Sequence, residues 1–194
     1  SGHHRGLCSF RYLRARVLAA PSRSPHLFVR YAPGGWTSLT DHLRRSGATD
    51  EELLAAGLAS RASTGRLIDR FRDRLTFPIR DTDGAIRGFV ARRNPAATDD
   101  GRAGPKYLNT PMTDLYRKRE HLLGLHEAQP GLAAGAALAL VEGPLDAIAL
   151  TLATDGRAVG VATLGSALTD QQADLLRPHI HAEGPGVLVA TDND

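Results

Sequence analysis

Four carboxylates stand where a divalent cation could be held. Glu142 directly follows the apolar run Ala137-Leu138-Ala139-Leu140-Val141, and Asp146 comes four residues later, after Gly143-Pro144. Asp192 and Asp194 close a second apolar run, Val187-Leu188-Val189-Ala190-Thr191. An acid directly after a buried strand is costly unless a cation or hydrogen bonds meet it. Residues i and i+2 of a strand point to the same side, so Asp192 and Asp194 can converge. Acids gathered at adjacent strand ends repel one another unless cations occupy the site. Oxygen-only ligands suit Mg²⁺ or Mn²⁺, which bind phosphates through few protein contacts. A metal pair there would activate an attacking hydroxyl and neutralise a leaving pyrophosphate. Taken singly, each acid has a plainer reading, Asp146 as a partner of a helix dipole and Asp194 as a terminal residue. The set points to metal.

The elements that must position these acids read as strand, helix, strand, helix, strand. Residues 136–141, 158–163 and 186–191 are apolar strands, and 145–153 and 169–176 are helices, the second opened by a Thr169/Gln172 capping box. Such alternation implies a parallel sheet with helices on its faces, whose sites gather beyond the C-terminal strand ends. Upstream the pattern differs. Residues 36–45 read as a helix with Trp36, Leu39 and Leu43 on one face. Thr49 and Glu52 form a capping box for a second helix that Gly57 ends. Residues 71–79 are extended, Asp81-Thr82-Asp83-Gly84 is a tight turn, and 85–91 return as a hairpin strand. A flexible surface loop at 94–104 leads to Lys106-Tyr107-Leu108-Asn109. A helix is then expected over 115–128, stopped by Pro130-Gly131. Residues 1–26 form a separate Arg-rich stretch closed by prolines and serines.

The 194 residues suit one ordinary domain or two small ones, and 42% hydrophobic against 23% charged residues is enough for a core. The formal charge of +3 hides an asymmetry. Up to Arg119 there are 22 basic and 11 acidic residues, a balance of +11. From Glu120 onward there are 2 basic and 10 acidic, a balance of −8. A basic half fits a polyanion and an acidic half fits cations. One cysteine, Cys8, builds neither an internal disulfide nor a multi-cysteine zinc site. No apolar run approaches the roughly 18–20 residues of a bilayer span, and no secretory h-region follows the basic start. Cytoplasmic placement is the expectation.

Val141-Glu142-Gly143-Pro144-Leu145-Asp146, with Asp192-Asn193-Asp194 about fifty residues on, resembles the Toprim domain of primases, topoisomerases and some nucleases. The segment Asp69-Arg70-Phe71-Arg72-Asp73-Arg74-Leu75-Thr76-Phe77-Pro78-Ile79-Arg80-Asp81 resembles the catalytic core of bacterial DnaG-type primases. So do Gly88-Phe89, Pro105-Lys106-Tyr107-Leu108-Asn109-Thr110-Pro111, Tyr31-Ala32-Pro33 with Trp36, and Thr163-Leu164-Gly165-Ser166-Ala167-Leu168-Thr169. The resemblance implies a basic α+β subdomain at 27–128 followed by an α/β, Rossmann-like Toprim domain at 129–194. It also implies that this last domain is C-terminally truncated. It implies synthesis of short RNA primers on single-stranded DNA from NTPs, with Mg²⁺ or Mn²⁺ and no zinc in this chain. A replicative helicase would be reached through a further C-terminal domain.

By the same resemblance Glu142 is the metal-binding acid and general base, Asp192 and Asp194 are metal ligands, and Asp146 is the accessory acid. Arg92 faces nucleic acid. Lys106, Tyr107 and Asn109 lie near the template and nucleotide path, with Lys118 a second lysine of that kind. Arg70 and Arg72 fit either a phosphate path or an ion-paired surface beside Asp69 and Asp73. Glu120 departs from the pattern, standing where the family carries a positive charge, and Arg5-Gly6-Leu7 matches an upstream motif. Two other readings stand beside this one: another Toprim enzyme, such as a topoisomerase or nuclease, or a single-strand-binding fragment without turnover. The four tyrosines, Tyr12, Tyr31, Tyr107 and Tyr116, all lie upstream of the acids in no context that suggests a topoisomerase nucleophile.

Overall fold

The computed structural model describes residues 29–96, 104–165, 167–180, 184 and 186–190. The basic N-terminal stretch with Arg5 and Cys8, most of the 94–104 loop, and Asp192 and Asp194 lie outside the described residues. The chain divides into two compact units. Of the described residues, those within 29–78 and 88–117 belong to the first, and those within 79–87 and 118–190 to the second.

The first unit is built on a four-stranded sheet in the order β1-β4-β5-β6. Its strands are β1 (Arg30–Ala32), β4 (Arg74–Arg80), β5 (Ile86–Arg93) and β6 (Tyr107–Asn109). A ribbon of β2 (Ala59–Arg61) and β3 (Leu67–Asp69) and two helices, α1 (Ser38–Arg45) and α2 (Asp50–Ala55), complete it. The Thr49/Glu52 capping box of α2 forms as the sequence dictates. Leu53, Ala59 and Leu67 are buried together beneath α2 and the ribbon, while Phe71 meets Phe89 edge to face at 6.3 Å.

Helix α1 departs from expectation. It begins after Thr37, whose side chain makes no cap bond. The cap comes instead from β3: the buried Asp69 carboxylate accepts the Leu39 and Thr40 N–H groups, each at 2.8 Å, and the Thr40 hydroxyl at 2.6 Å. The Asp69 N–H donates in turn to the Trp36 carbonyl at 2.7 Å. Trp36 therefore precedes the helix and is 64% exposed, off the apolar face on which its spacing had placed it.

The extended segment expected at 71–79 is also interrupted. Asp73 takes a left-handed φ of +50°, so the strand starts only at Arg74 and leaves Arg70, Phe71 and Arg72 outside it.

The second unit holds a parallel sheet, β8-β7-β9, of β7 (Ala137–Val141), β8 (Ala158–Ala162) and β9 (Val187–Ala190). Around it are α3 (Leu125–Ala133), α4 (Pro144–Ala153) and α5 (Asp170–Leu176), the last opened by the expected Thr169/Gln172 capping box. Leu122, Leu125, Leu138, Leu140, Val159 and Val161 form its core. The outer edge of β8 is closed. The Ala158 and Gly160 N–H groups donate to the Thr154 and Thr151 hydroxyls of α4, and Ala162 exchanges hydrogen bonds with Leu123.

That last exchange explains a second correction. No continuous helix runs over 115–128. A 3₁₀ turn occupies Lys118–Glu120, the backbone at Leu123 is committed to β8, and α3 starts after Gly124 at φ +87°. Nor does Pro130 stop the helix. It sits inside α3, which ends instead in a Schellman motif at Gly135: its N–H meets the Leu132 carbonyl, and that of Ala136 meets Gly131.

The hairpin turn between β4 and β5 forms over Asp81–Gly84, with the Asp81 carboxylate accepting the Asp83 and Ala85 N–H groups. Within the second unit this tip docks on α3. His126 and Gln129 both reach the Thr82 carbonyl at 3.2 Å, and Arg80 pairs with Glu127 at 3.3 Å. Among the described residues no helix is long and apolar enough to cross a membrane.

Candidate functional site

In the second unit Glu142 stands half-buried at the C-terminal end of β7. Its carbonyl accepts the Leu164 N–H at 3.1 Å, and the Thr163 N–H donates to Val141 at the same length. The Thr163-Leu164-Gly165 turn, with Leu164 at φ +70° and Gly165 at φ +80°, is thereby set beside Glu142 at the end of β8. Gly143 turns the chain, Pro144 occupies the first turn of α4, and Asp146 is exposed in that same turn. On the other side of β7, β9 ends at Ala190 opposite Val141. The structure thus brings Glu142 and Asp146 to one end of the sheet. Among the described residues no three metal-ligating side chains converge. The donors present there are carboxylate oxygens, which fit a hard divalent cation.

The basic residues of the first unit sort by environment. Lys106 is exposed, and its ammonium lies 5.9 Å from the centre of the Tyr107 ring. Arg92, opposite Tyr107 across β5 and β6, is only 8% exposed. Its guanidinium lies 5.2 Å from that ring and donates to the Tyr107 hydroxyl at 2.9 Å. Arg70 donates to the Asn109 carbonyl at 3.1 Å, fixing the end of β6, and burial holds its guanidinium below the ordinary arginine pKa. Arg74 is buried outright and donates to the Pro105 carbonyl at 2.9 Å. Arg93 holds the Gly104 carbonyl at 3.2 Å, so these two arginines anchor the approach to Lys106.

Arg72 stacks on the exposed Trp36, 4.4 Å from its ring, and donates to the Asp69 carbonyl. Among the described residues no carboxylate pairs with it. This stack and the anchoring by Arg74 and Arg93 escaped the sequence reading. The only signals were an isolated Trp after Gly-Gly and arginines spaced by two.

In the second unit, Lys118 is half-buried in its 3₁₀ turn. The buried Gln172 amide donates to the Lys118 carbonyl at 3.2 Å and to the His121 carbonyl at 2.8 Å, which sets that backbone.

An acid at a parallel strand end, backed by a helix that carries a second acid, defines a Toprim-type α/β unit. The companion unit is a separate antiparallel sheet carrying cations and aromatic rings. Comparison with known families agrees: residues 3–129 match the DNA primase catalytic core, N-terminal domain, and 139–194 match the Toprim-like family. The chain belongs to the family of bacterial DnaG-type primase catalytic cores.

It is 43% identical over 166 residues to a DNA primase of Deinococcus radiodurans, covering 85% of this chain and 28% of that protein. To one of Streptomyces coelicolor it is 40% identical over 166 residues, covering 86% and 25%. The chain thus spans about a quarter of the length of the curated relatives it matches. Among solved structures it resembles the RNA polymerase domain of Mycobacterium tuberculosis primase DnaG in complex with a double-stranded DNA oligomer bearing a 6-nucleotide overhang. That match has TM-score 0.82 and 36% identity, over 98% of this chain and 58% of that one. It also resembles a DnaG primase catalytic domain bound to ssDNA, with TM-score 0.71 and 32% identity, over 96% and 56%.

Proposed function

We propose that this chain is the catalytic core of a DNA primase that builds short RNA primers from NTPs on a single-stranded DNA template. The observation that carries the reading is the half-buried Glu142 at the end of β7, directly before a helix whose first turn presents Asp146. Glu142, Asp192 and Asp194 would hold Mg²⁺ or Mn²⁺, which supplies charge neutralisation at the phosphates when bound. Glu142 further serves as general base toward the attacking hydroxyl, and Asp146 is the accessory acid. Residues 27–128 act as the nucleic-acid-handling subdomain and 129–194 as the Toprim domain. A replicative helicase is the partner of the whole protein.

The environments refine the basic roles. Lys106, exposed at the start of β6, meets a backbone phosphate directly. Arg92 lies behind Tyr107 and holds that ring and hydroxyl in place, so Tyr107 works as a braced residue. The exposed Trp36, with the half-buried Arg72 stacked on it, adds an aromatic face and a cation that no carboxylate pairs among the described residues, features that suit an unpaired strand. Asn109 and Arg70 fix the far end of β6, and Lys118 offers a further cation.

Lys106→Ala is expected to weaken binding of single-stranded DNA and to reduce the slope of log K against log salt by about 0.7, one phosphate contact. A titration across ionic strength reads this. An unchanged slope removes Lys106 from the phosphate path.

A further inference from the structure

The segment that carries Arg70 and Arg72 is turned by a single non-glycine residue in the left-handed region, Asp73 at φ +50°. L-residues avoid this conformation unless their surroundings hold them in it, Asp and Asn being the most tolerant. Asp73 is held at every polar group. Its N–H donates to the Pro33 carbonyl at 3.2 Å and its carbonyl accepts the Asn94 N–H at 3.1 Å. Its carboxylate Oδ1 accepts the Tyr31 hydroxyl at 2.5 Å and the Asn94 side-chain amide at 2.9 Å. One residue thus ties the end of β1, the end of β5 and the start of β4. On its N-terminal side Arg72 lies on Trp36, and on its C-terminal side Arg74 turns inward to Pro105. A strand running straight through 73 would send alternate side chains to opposite faces, and these two arginines would then share one face. The left-handed turn separates them.

We propose that Asp73 is a positioning residue for the nucleic-acid face, sorting Arg72 outward onto Trp36 and Arg74 inward to the base of the loop before Lys106. The proposal rests on the single-strand reading above, but its geometry can be read without any nucleic acid. Trp36 is the only tryptophan of the chain, so its fluorescence reports the Arg72 stack.

The test compares Asp73→Ala, Asp73→Asn and Tyr31→Phe in the 194-residue chain. It follows acrylamide quenching of Trp36, the salt slope of single-stranded DNA binding, and far-UV circular dichroism as the measure of folding. Asp73→Ala is expected to raise the quenching of Trp36 and to lower the salt slope by about 0.7, the loss of one arginine contact. Asp73→Asn keeps the acceptor and tolerates positive φ, so it should restore both to wild type. Tyr31→Phe removes one hydrogen bond and should raise the quenching partway.

A folded Asp73→Ala chain with wild-type quenching and slope would overturn the proposal, as would an Asp73→Asn chain that behaves like Asp73→Ala. Should Asp73→Ala fail to fold, unchanged quenching in Tyr31→Phe would overturn it. Absence of DNA binding by the wild-type chain would defeat the single-strand reading, while the quenching series would still decide the role of Asp73.

Discussion

Glu142→Ala is expected to abolish metal-dependent dinucleotide synthesis by the full-length protein, a loss of roughly 10³-fold or more. Ala137–Val141 is apolar and, from Leu138 on, buried, and it lies between two parallel neighbours, so its C-terminal end is where a site can open. Glu142 is the first residue beyond it, and its backbone is fixed by the Leu164 N–H while α4 begins two residues later. The residue that carries this carboxylate thus has its backbone position set by the sheet and by the turn after β8. Replacing it with Ala removes the charge that a cation would need, while the backbone hydrogen bond to Leu164 remains. The fold should survive. Incorporation of labelled ribonucleotide on single-stranded template measures the effect, and product from Glu142→Ala at wild-type rates would remove this residue from the chemistry.

Gly160→Ala is expected to destabilise the second unit by about 3 kcal/mol or more, because the added methyl has nowhere to go. A Cβ there would lie 2.3 Å from the Ala147 carbonyl oxygen and 2.5 Å from its Cα, both backbone atoms of α4. The helix rests on β8 at this glycine, and the Gly160 N–H donates to Thr151 one turn further along α4 at 2.8 Å. Making room means lifting α4, which begins two residues after Glu142 and bears Asp146 in its first turn. For a chain of this size the loss corresponds to a fall of roughly 6–12 °C in Tm. Thermal or denaturant unfolding reads it, and a wild-type midpoint would show that α4 is not seated as described.

Much of this architecture was legible because its causes are local. The capping boxes at Thr49/Glu52 and Thr169/Gln172 close within four residues, and the Asp81–Gly84 turn is sealed by the carboxylate of its own first residue. The apolar runs of β7 and β8 and the acid that ends β7 are equally local. What escaped depends on residues distant in sequence. The start of α1 is set by Asp69 from β3, about thirty residues away, and this moved Trp36 out of the helix. The interruption at Asp73 is imposed by Tyr31 and Asn94, on opposite sides of it in the chain. Arg92 is expected, by the family resemblance, to face nucleic acid. It is buried because the residue directly across the strand pair is an aromatic that accepts its hydrogen bond. The 115–128 segment has helical character, yet Leu123 gives its backbone to β8, and α3 is displaced beyond Gly124.

We propose metal-dependent RNA synthesis on single-stranded DNA, with Glu142 at the end of the parallel sheet at its centre. Primer synthesis by the full-length protein on single-stranded DNA, with NTPs and either Mg²⁺ or EDTA, tests it most directly. Short RNA products with Mg²⁺, their loss in EDTA and their return on adding metal back are the predicted result. Equal product in EDTA, or none with metal while the template remains bound, would contradict the account.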